Sequence, residues 1–280
     1  MAIITFINNK KEETGKTLSL AAIVTYMSIE HNSKNLIIST TDKEDRLKRC
    51  FWQEKRKSKF NFGIFGPNTT NILDQENGII GLAKMVKSNK ISPNIITNYT
   101  KIVFKDRLEV LLGTEQKGRI DVEETYPDII TVANQYYDRI FIDLDENINK
   151  NMQNAILKKS DVIVVSASQR LSSIDKIKEE KEKNEILKSP KTLLLIGRFD
   201  KYSKYNIKNI TRYLGEKNQI LTIPYNTLFF EAAEEAKVPD LFLKFKKSID
   251  SEDRNAFFID EIKRASENII YRQQMVQASL

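Results

Sequence analysis

The sequence predicts a doubly wound α/β fold, in which a mostly parallel sheet of seven or eight strands carries helices on both faces. Three observations point to it. Short, nearly continuous apolar runs bounded by polar residues recur along the chain, as strands buried on both faces do. Segments with helical spacing lie between them, giving the alternation of a parallel sheet. The first apolar run leads into a loop ending Gly15-Lys16-Thr17 and then into a helical stretch, a βα start of the kind such folds use.

In chain order, AIITFI (residues 2–7) is the first strand, and the alanine-bearing 18–30 segment is the helix that follows the loop. NLIIST (35–40) is the second strand, and 78–88 reads as a helix. LEVLLG (108–113), the helical 126–136 and RIFIDL (139–144) continue the alternation, followed by DVIVVSA (161–167) and a helix over 174–187. TLLLIG (192–197), a helix at 207–214 and QILTIP (219–224) complete the strand list. A last helix is expected over 253–272, where Phe257, Ile259, Ile262, Ala265, Ile269 and Ile270 form a stripe to pack on the sheet. Ligands bind beyond the carboxyl ends of the strands in such a sheet, so the turns at 8–17, 40–46, 143–147, 166–169, 197–200 and 224–227 are expected to face one crevice.

Composition bounds the function. The 280 residues are 40% hydrophobic and 9% aromatic, enough for a substantial core, and neither a repeat nor a linker divides them, so 1–280 reads as a single domain. Cys50 is the only cysteine, which excludes a disulfide framework. No apolar run approaches the roughly 20 residues needed to span a bilayer, and the start lacks the basic and apolar regions of a secretory signal. A cytoplasmic protein is expected, without an integral membrane segment. Lys and Arg number 45 against 38 acidic residues, a surplus of +7 compatible with nonspecific binding of DNA or another polyanion. In the basic 45–60 segment, Phe51, Trp52 and Phe60 could stack on bases or sit at a membrane interface, but an amphipathic helix with its aromatics in the core is the preferred reading. His31 stands alone and reads as a surface residue, and no zinc-site spacing exists.

The chemistry lies at strand ends. A loop ending Gly15-Lys16-Thr17 between a strand and a helix is the arrangement in which backbone N–H groups surround a phosphate, with Lys16 on phosphate oxygens and the Thr17 hydroxyl on Mg²⁺. The triplet alone is equally compatible with a plain strand-to-helix turn. YDRIFIDLD (137–145) is an apolar strand ending in Asp143, where a carboxylate could complete a Mg²⁺ shell or simply cap the next turn. The two features together favour nucleotide binding.

At this point the chain resembles the MinD/ParA ATPases. Lys11-Glu12-Glu13-Thr14-Gly15-Lys16-Thr17 is similar to their deviant Walker A loop, K-G-G-x-G-K-T, and LIISTTD, RLEVLLGT, YDRIFIDLD, SDVIVVSASQRLSSID, LLLIGRFD and ILTIPYNTLFFEAAEEAKVPDL match the order of the family's strands and loops. The resemblance implies a P-loop NTPase that binds ATP and Mg²⁺ and hydrolyses ATP slowly or under a partner's stimulation. It places Lys11 on the nucleotide of a second subunit, Lys16 on the phosphates and Asp42 beside the attacking water, which makes these three the catalytic candidates. Thr14, Gly15, Leu18, Arg198, Pro224 and Asn226 join Lys11, Lys16 and Thr17 in contacting nucleotide, and Thr17, Asp42 and Asp143 serve the metal. The chain departs from the family in lacking the first switch's leading acid and the prolines after Asp143, and Gly197 stands where an asparagine often reads the base.

Glu12 and Glu13 are the sharpest departure, because glutamate adopts φ > 0 poorly and repels a triphosphate by about 1 kcal/mol or more per close pair. They could weaken ATP binding, slow hydrolysis or pair with basic residues across an interface. The altered loop is similar to that of atypical members of the TadZ/CpaE type, which implies an ATP-dependent homodimer that recruits a protein partner, such as pilus or secretion machinery, and is itself drawn to a membrane or pole through it. Two other readings stay open: a ParA-type partition ATPase that binds DNA nonspecifically, and a nucleotide-binding scaffold without turnover.

Overall fold

A computed structural model of the chain describes residues 1–8, 13–41, 46–53, 78–88, 92–113, 122–216, 219–248, 253 and 255–278. Its strands are β1 (Ala2–Asn8), β2 (Asn35–Ser39), β3 (Lys101–Phe104), β4 (Leu108–Leu111), β5 (Arg139–Asp143), β6 (Val162–Ser168), β7 (Thr192–Phe199) and β8 (Leu221–Pro224). They form one sheet in the order β3-β4-β2-β5-β1-β6-β7-β8. Every pairing is parallel except β3 with β4. The expected fold class is therefore the observed one.

β1 is central, between β5 and β6, with Phe6 opposite Asp143 and Asn8 opposite Ser166. Its alternation builds two cores. Ile3 and Ile7 face one, with Ile140 and Ile142 of β5, while Ala2, Ile4 and Phe6 face the other, with Phe141. The first core is covered by α3 (Ile79–Lys87), α4 (Tyr126–Ala133), α5 (Lys150–Lys159), α6 (Leu171–Lys183) and α7 (Glu185–Lys188) through residues such as Leu82, Ile129, Ile156, Ile174 and Leu187. α8 (Ile207–Leu214) adds Ile210 on the same side. The second is covered by α1 (Lys16–Glu30), α2 (Arg46–Phe51), α9 (Thr227–Glu234), α10 (Val238–Ser248) and α11 (Ala256–Ala278), including an aromatic group of Phe229, Phe242, Phe245 and Phe258. Each fully buried aliphatic or phenyl side chain here contributes roughly 1.5–3 kcal/mol. Two faces covered by helices are what a parallel sheet requires.

Several elements differ from the expectation, each for a local reason. β3 is an edge strand with Lys101 and Ile102 exposed, so it lacks the apolar run that marks its neighbours. The helix expected over 174–187 starts at Leu171 and breaks at Asn184, whose side chain accepts a hydrogen bond from the Ile186 N–H and caps α7. α5, absent from the expected elements, buries only Ile156 and Leu157 and is started by Asn149, which accepts from the Asn151 N–H. The last helix runs on to Ala278, past the expected end at 272. Phe51 is buried against α1 and Trp52 is half-buried, as expected of core-facing aromatics, while Phe60 lies outside the described residues. Among the described residues, no helix is long and apolar enough to cross a membrane.

Candidate functional site

The carboxyl ends of β1, β2, β5 and β7 meet in an open cleft of about 770 Å³, within the size range of small-molecule sites. Thr14 to Leu18 and Asp143 lie at its floor, and Glu13, Thr41, Arg46, Asp145 to Asn147 and Arg198 line it further out. Gly15 is the residue that turns the chain into α1. Its φ of 77° is left-handed, a conformation that costs most side chains about 1 kcal/mol or more. No acidic residue occupies the first turn of α1, so the positive end of the helix dipole meets the cleft without a neutralising carboxylate on the helix.

Gly197 has a different reason to be glycine. A Cβ there would collide with the carbonyl oxygen of Thr14, so the end of β7 packs directly against the backbone of the loop that leads into α1. The position where the family resemblance places a base-reading asparagine is thus taken up by packing.

At the cleft floor, the Lys16 ammonium lies 2.8 Å from Asp143 Oδ1 and donates to the carbonyl oxygen of Leu144. The Thr17 hydroxyl donates to Asp143 Oδ2 at 2.8 Å. Lys16 and Asp143 side chains are only 10% and 8% exposed, so water screens this pair little. Thr40, at the end of β2, donates to Asp143 O and accepts from the Asp145 N–H at 2.8 Å, tying the second strand's exit to the fifth's. Burial pushes the Asp145 carboxyl up, but hydrogen bonds from the Asn147 N–H, the Thr41 hydroxyl and the Asn147 side chain, with the Lys16 charge, outweigh it and hold the carboxyl below its ordinary value.

At the mouth the Glu13 carboxylate stands between two arginines. Arg46 donates to Glu13 Oε1 at 3.3 Å, and the Arg198 guanidinium is 3.7 Å from Oε2. Arg198 has a φ of 53°, and its side chain passes over Gly15, where an added Cβ would lie 3.6 Å from Arg198 Cγ. Arg49, one turn beyond Arg46, is 3.9 Å from Glu234 of α9.

Of the expected site residues, Thr14, Gly15, Lys16, Thr17, Leu18, Asp143 and Arg198 are brought to this cleft. Pro224 and Asn226 line a second, apolar cavity of about 30 Å³ beside it, which shares Gly15, Leu18, Arg198 and Phe230 with the cleft. Asn226 is engaged structurally: it accepts from the Phe229 N–H, capping α9, and donates to Asn255 Oδ1 at 2.8 Å. Lys11 and Asp42, and with them Glu12, lie outside the described residues. The turn at 166–169, expected in the crevice, lines neither cavity. Gln169 instead supports the turn after β7, donating to Asp200 O and Tyr205 O and accepting from the Asp200 N–H. Arg49, Phe230, Ala233 and Glu234 also line the cleft, outside the turns expected to form it. For Arg49 a signal existed in its spacing of one helical turn from Arg46.

The side chains present fit a phosphate and a hard cation. The Thr14 hydroxyl is buried against the loop with no partner among the described residues, an orphan polar group where an acceptor oxygen would be expected. Thr17 and Asp143 offer adjacent oxygen ligands, and Lys16 supplies the counter-charge for phosphate. Among the described residues no group of three or more His, Cys, Asp or Glu could hold a metal by itself. Mg²⁺ is commonly held by one or two protein oxygens, with water and phosphate completing its shell.

No protein-family model matches the sequence, and no curated protein is similar enough to count as a match. Solved structures do match over nearly the whole chain. A ParA family ATPase from Chlorobium tepidum TLS superposes with a TM-score of 0.68 at 14% identity, covering 94% of this chain and 97% of that one. A MinD from Pyrococcus horikoshii OT3 complexed with Mg-ADP gives 0.63 at 13% identity, covering 97% and 98%. A putative plasmid partition protein from Borrelia burgdorferi B31 bound to AMPPNP gives 0.59 at 18% identity, covering 97% of both chains. The chain has the fold of the MinD/ParA ATPases.

Proposed function

We propose that this chain is a nucleotide-switched ATPase of the MinD/ParA type, with residues 1–280 as one nucleotide-binding domain. The observation that carries the reading is the meeting of Lys16, Thr17 and Asp143 at the floor of the cleft, at the start of α1 and the end of β5. Fold and site agree: structures of the same fold were solved with Mg-ADP and with AMPPNP.

Lys16 would hold the phosphates of ATP while keeping its place at the floor, since an ammonium has three donors and Asp143 and Leu144 O engage two of them. Thr17 and Asp143 would hold Mg²⁺, which when bound neutralises charge on the phosphates. Thr14 and Gly15 supply the loop that approaches them, and Leu18, Pro224 and Arg198 border the space beside it. Asp42 is assigned to orient the attacking water and Lys11 to reach the nucleotide of a second subunit, both on the strength of the sequence resemblance. ATP then closes a homodimer, which engages a protein partner of a positioning system, and hydrolysis releases it. A pilus or secretion complex as that partner rests on the loop sequence alone, and a cytoplasmic site from which the partner recruits the dimer rests on the sequence composition alone.

Calorimetric titration with MgATP tests the reading. Binding that disappears in Lys16→Ala supports it, and no heat at millimolar nucleotide removes it. The net charge of +7 supports a second reading, a partition ATPase whose ATP-loaded dimer binds DNA nonspecifically. ATP-dependent DNA binding that weakens steeply with salt would select that reading, and its absence at low salt the first. A third reading, a scaffold that binds nucleotide without turnover, is supported by the carboxylate at the mouth, and undetectable phosphate release with partner present would select it.

A further inference from the structure

The cleft contains a carboxylate that the proposed reaction does not use. Glu13 belongs to the phosphate loop, yet its side chain turns to the mouth and takes the two guanidiniums that border the cleft there, Arg46 from α2 and Arg198 from the end of β7. Three facts give this arrangement meaning. Both arginines line the same cleft as Lys16 and Thr17, so their charges are available to an anion bound there. The Arg198 side chain lies over Gly15, the residue at which the loop enters α1. The side chains of Glu13, Arg46 and Arg198 are 67%, 65% and 47% exposed, so their pairing is weak, screened by salt and readily exchanged for a stronger partner.

We propose that Glu13 is a built-in competitor for the phosphates: its carboxylate occupies Arg46 and Arg198, and an incoming nucleotide must take those guanidiniums from it. The inference rests on the nucleotide-binding reading above. A guanidinium binds a carboxylate and a phosphate through the same planar fork of donors, so the two acceptors are interchangeable partners. The phosphate chain carries more charge and wins when Lys16 and Mg²⁺ hold it in the cleft. Without nucleotide, Glu13 holds α2 and the turn after β7 to the loop, and the site keeps its cations neutralised. A glutamate in a phosphate loop thereby sets the affinity threshold of the site and leaves its chemistry in place. Arg46 and Arg198 become phosphate-positioning residues that act once Glu13 lets go.

The test is MgATP binding by calorimetry at low and moderate salt, for the full chain and for Glu13→Gln, Arg46→Gln with Arg198→Gln, and all three changes together. Thermal melts check folding, and the exposed positions make large losses unexpected. The expected result is that Glu13→Gln tightens MgATP binding by about threefold to tenfold at low salt, with the gain shrinking as salt rises. In the background lacking both arginines the same change gives little or no gain, because nothing is left to release. Two results overturn the proposal: no tightening in Glu13→Gln, or an equal gain with and without the arginines, which reduces Glu13 to a simple repulsive charge. Lys16→Ala separates this from the underlying reading. If the full chain binds MgATP and Lys16→Ala does not, the nucleotide site stands whatever Glu13 does. If the two bind alike, or neither binds, the site reading falls and the competitor with it.

Discussion

The floor and the mouth of the cleft each hold a carboxylate between cationic or hydroxyl partners, and they differ in burial. At the floor, Asp143 meets Lys16 at 2.8 Å with both side chains about nine-tenths buried, and Thr17 fixes its second oxygen. At the mouth, Glu13 meets Arg46 at 3.3 Å and Arg198 at 3.7 Å with at least 47% of each side chain in solvent. The same chemistry therefore does two jobs. A buried pair is costly to break by halves, because the remaining charge is left in a poorly solvated place, whereas an exposed pair contributes little and can change partners. The floor is suited to fixing geometry and the mouth to exchange.

The largest expected effect comes from halving the floor pair. Asp143→Ala leaves the Lys16 ammonium with the Leu144 carbonyl as its remaining partner and the Thr17 hydroxyl without its acceptor. Breaking buried pairs of this kind costs about 3 kcal/mol, which urea denaturation would register as a lower midpoint with an unchanged slope. A midpoint within error of the parent would mean that the floor is as exchangeable as the mouth.

Next in size is Gly197→Ala. The added methyl meets a backbone oxygen, Thr14 O, which cannot rotate away as a side chain would, so the loop or the end of β7 must move. Overpacking of this kind costs about 1–3 kcal/mol. Because the displaced residues carry Thr14 and Gly15, the change should weaken MgATP binding beyond its cost in stability, which titration of the folded variant would measure. A variant with full affinity would separate β7 from the geometry of the loop.

Asp145 lies between the two extremes, half-buried and close to the floor. Its carboxyl is held below the ordinary 3.8, so the folded state binds its proton less readily than the unfolded chain does. The stabilisation is fully present above that ordinary value and is lost as pH falls through the lower folded one. Asp145→Asn should cost about 0.5–1 kcal/mol near neutral pH and progressively less in acid, read from urea midpoints of both proteins across that range. A difference that stays constant with pH would show that the hydrogen bonds from Asn147 and Thr41 act on shape alone.

The same contrast explains how much of the molecule could be read from sequence. Seven strands announce themselves because both of their faces are buried, leaving apolar runs such as TLLLIG and DVIVVSA. β3 does not, because Lys101 and Ile102 face solvent at the sheet's edge. Lys16, Thr17 and Asp143 were legible for a related reason: strand-end turns converge in a parallel sheet, and the residue types at two of those turns suit one ligand. The turn bearing Gln169 obeys the same topology and yet stays out of the cleft, since its carboxamide is engaged by Asp200 and Tyr205. Glu13 was visible as an anomaly, but its partners were hidden. Arg46 is 33 residues away in the chain and Arg198 is on a different strand's exit, and no pattern in a single sequence pairs exposed charges across such distances.

The smallest expected effect is the stability change in Arg46→Gln. Arg46 is 65% exposed and its bond to Glu13 is 3.3 Å long, so folding should change by no more than about 0.5 kcal/mol, close to the limit of denaturant measurements. Smallness here is informative. The mouth contacts can hold a ligand's charge in reserve only if the folded state does not depend on them, since a contact essential to the fold could not be given up on each binding event. Near-parent stability in Arg46→Gln, set beside the large loss in Asp143→Ala, would place the two ends of the cleft in different roles. A loss of 2 kcal/mol or more, well above the usual range for an exposed pair, would instead make Arg46 part of the scaffold and the Glu13 contact a structural clasp.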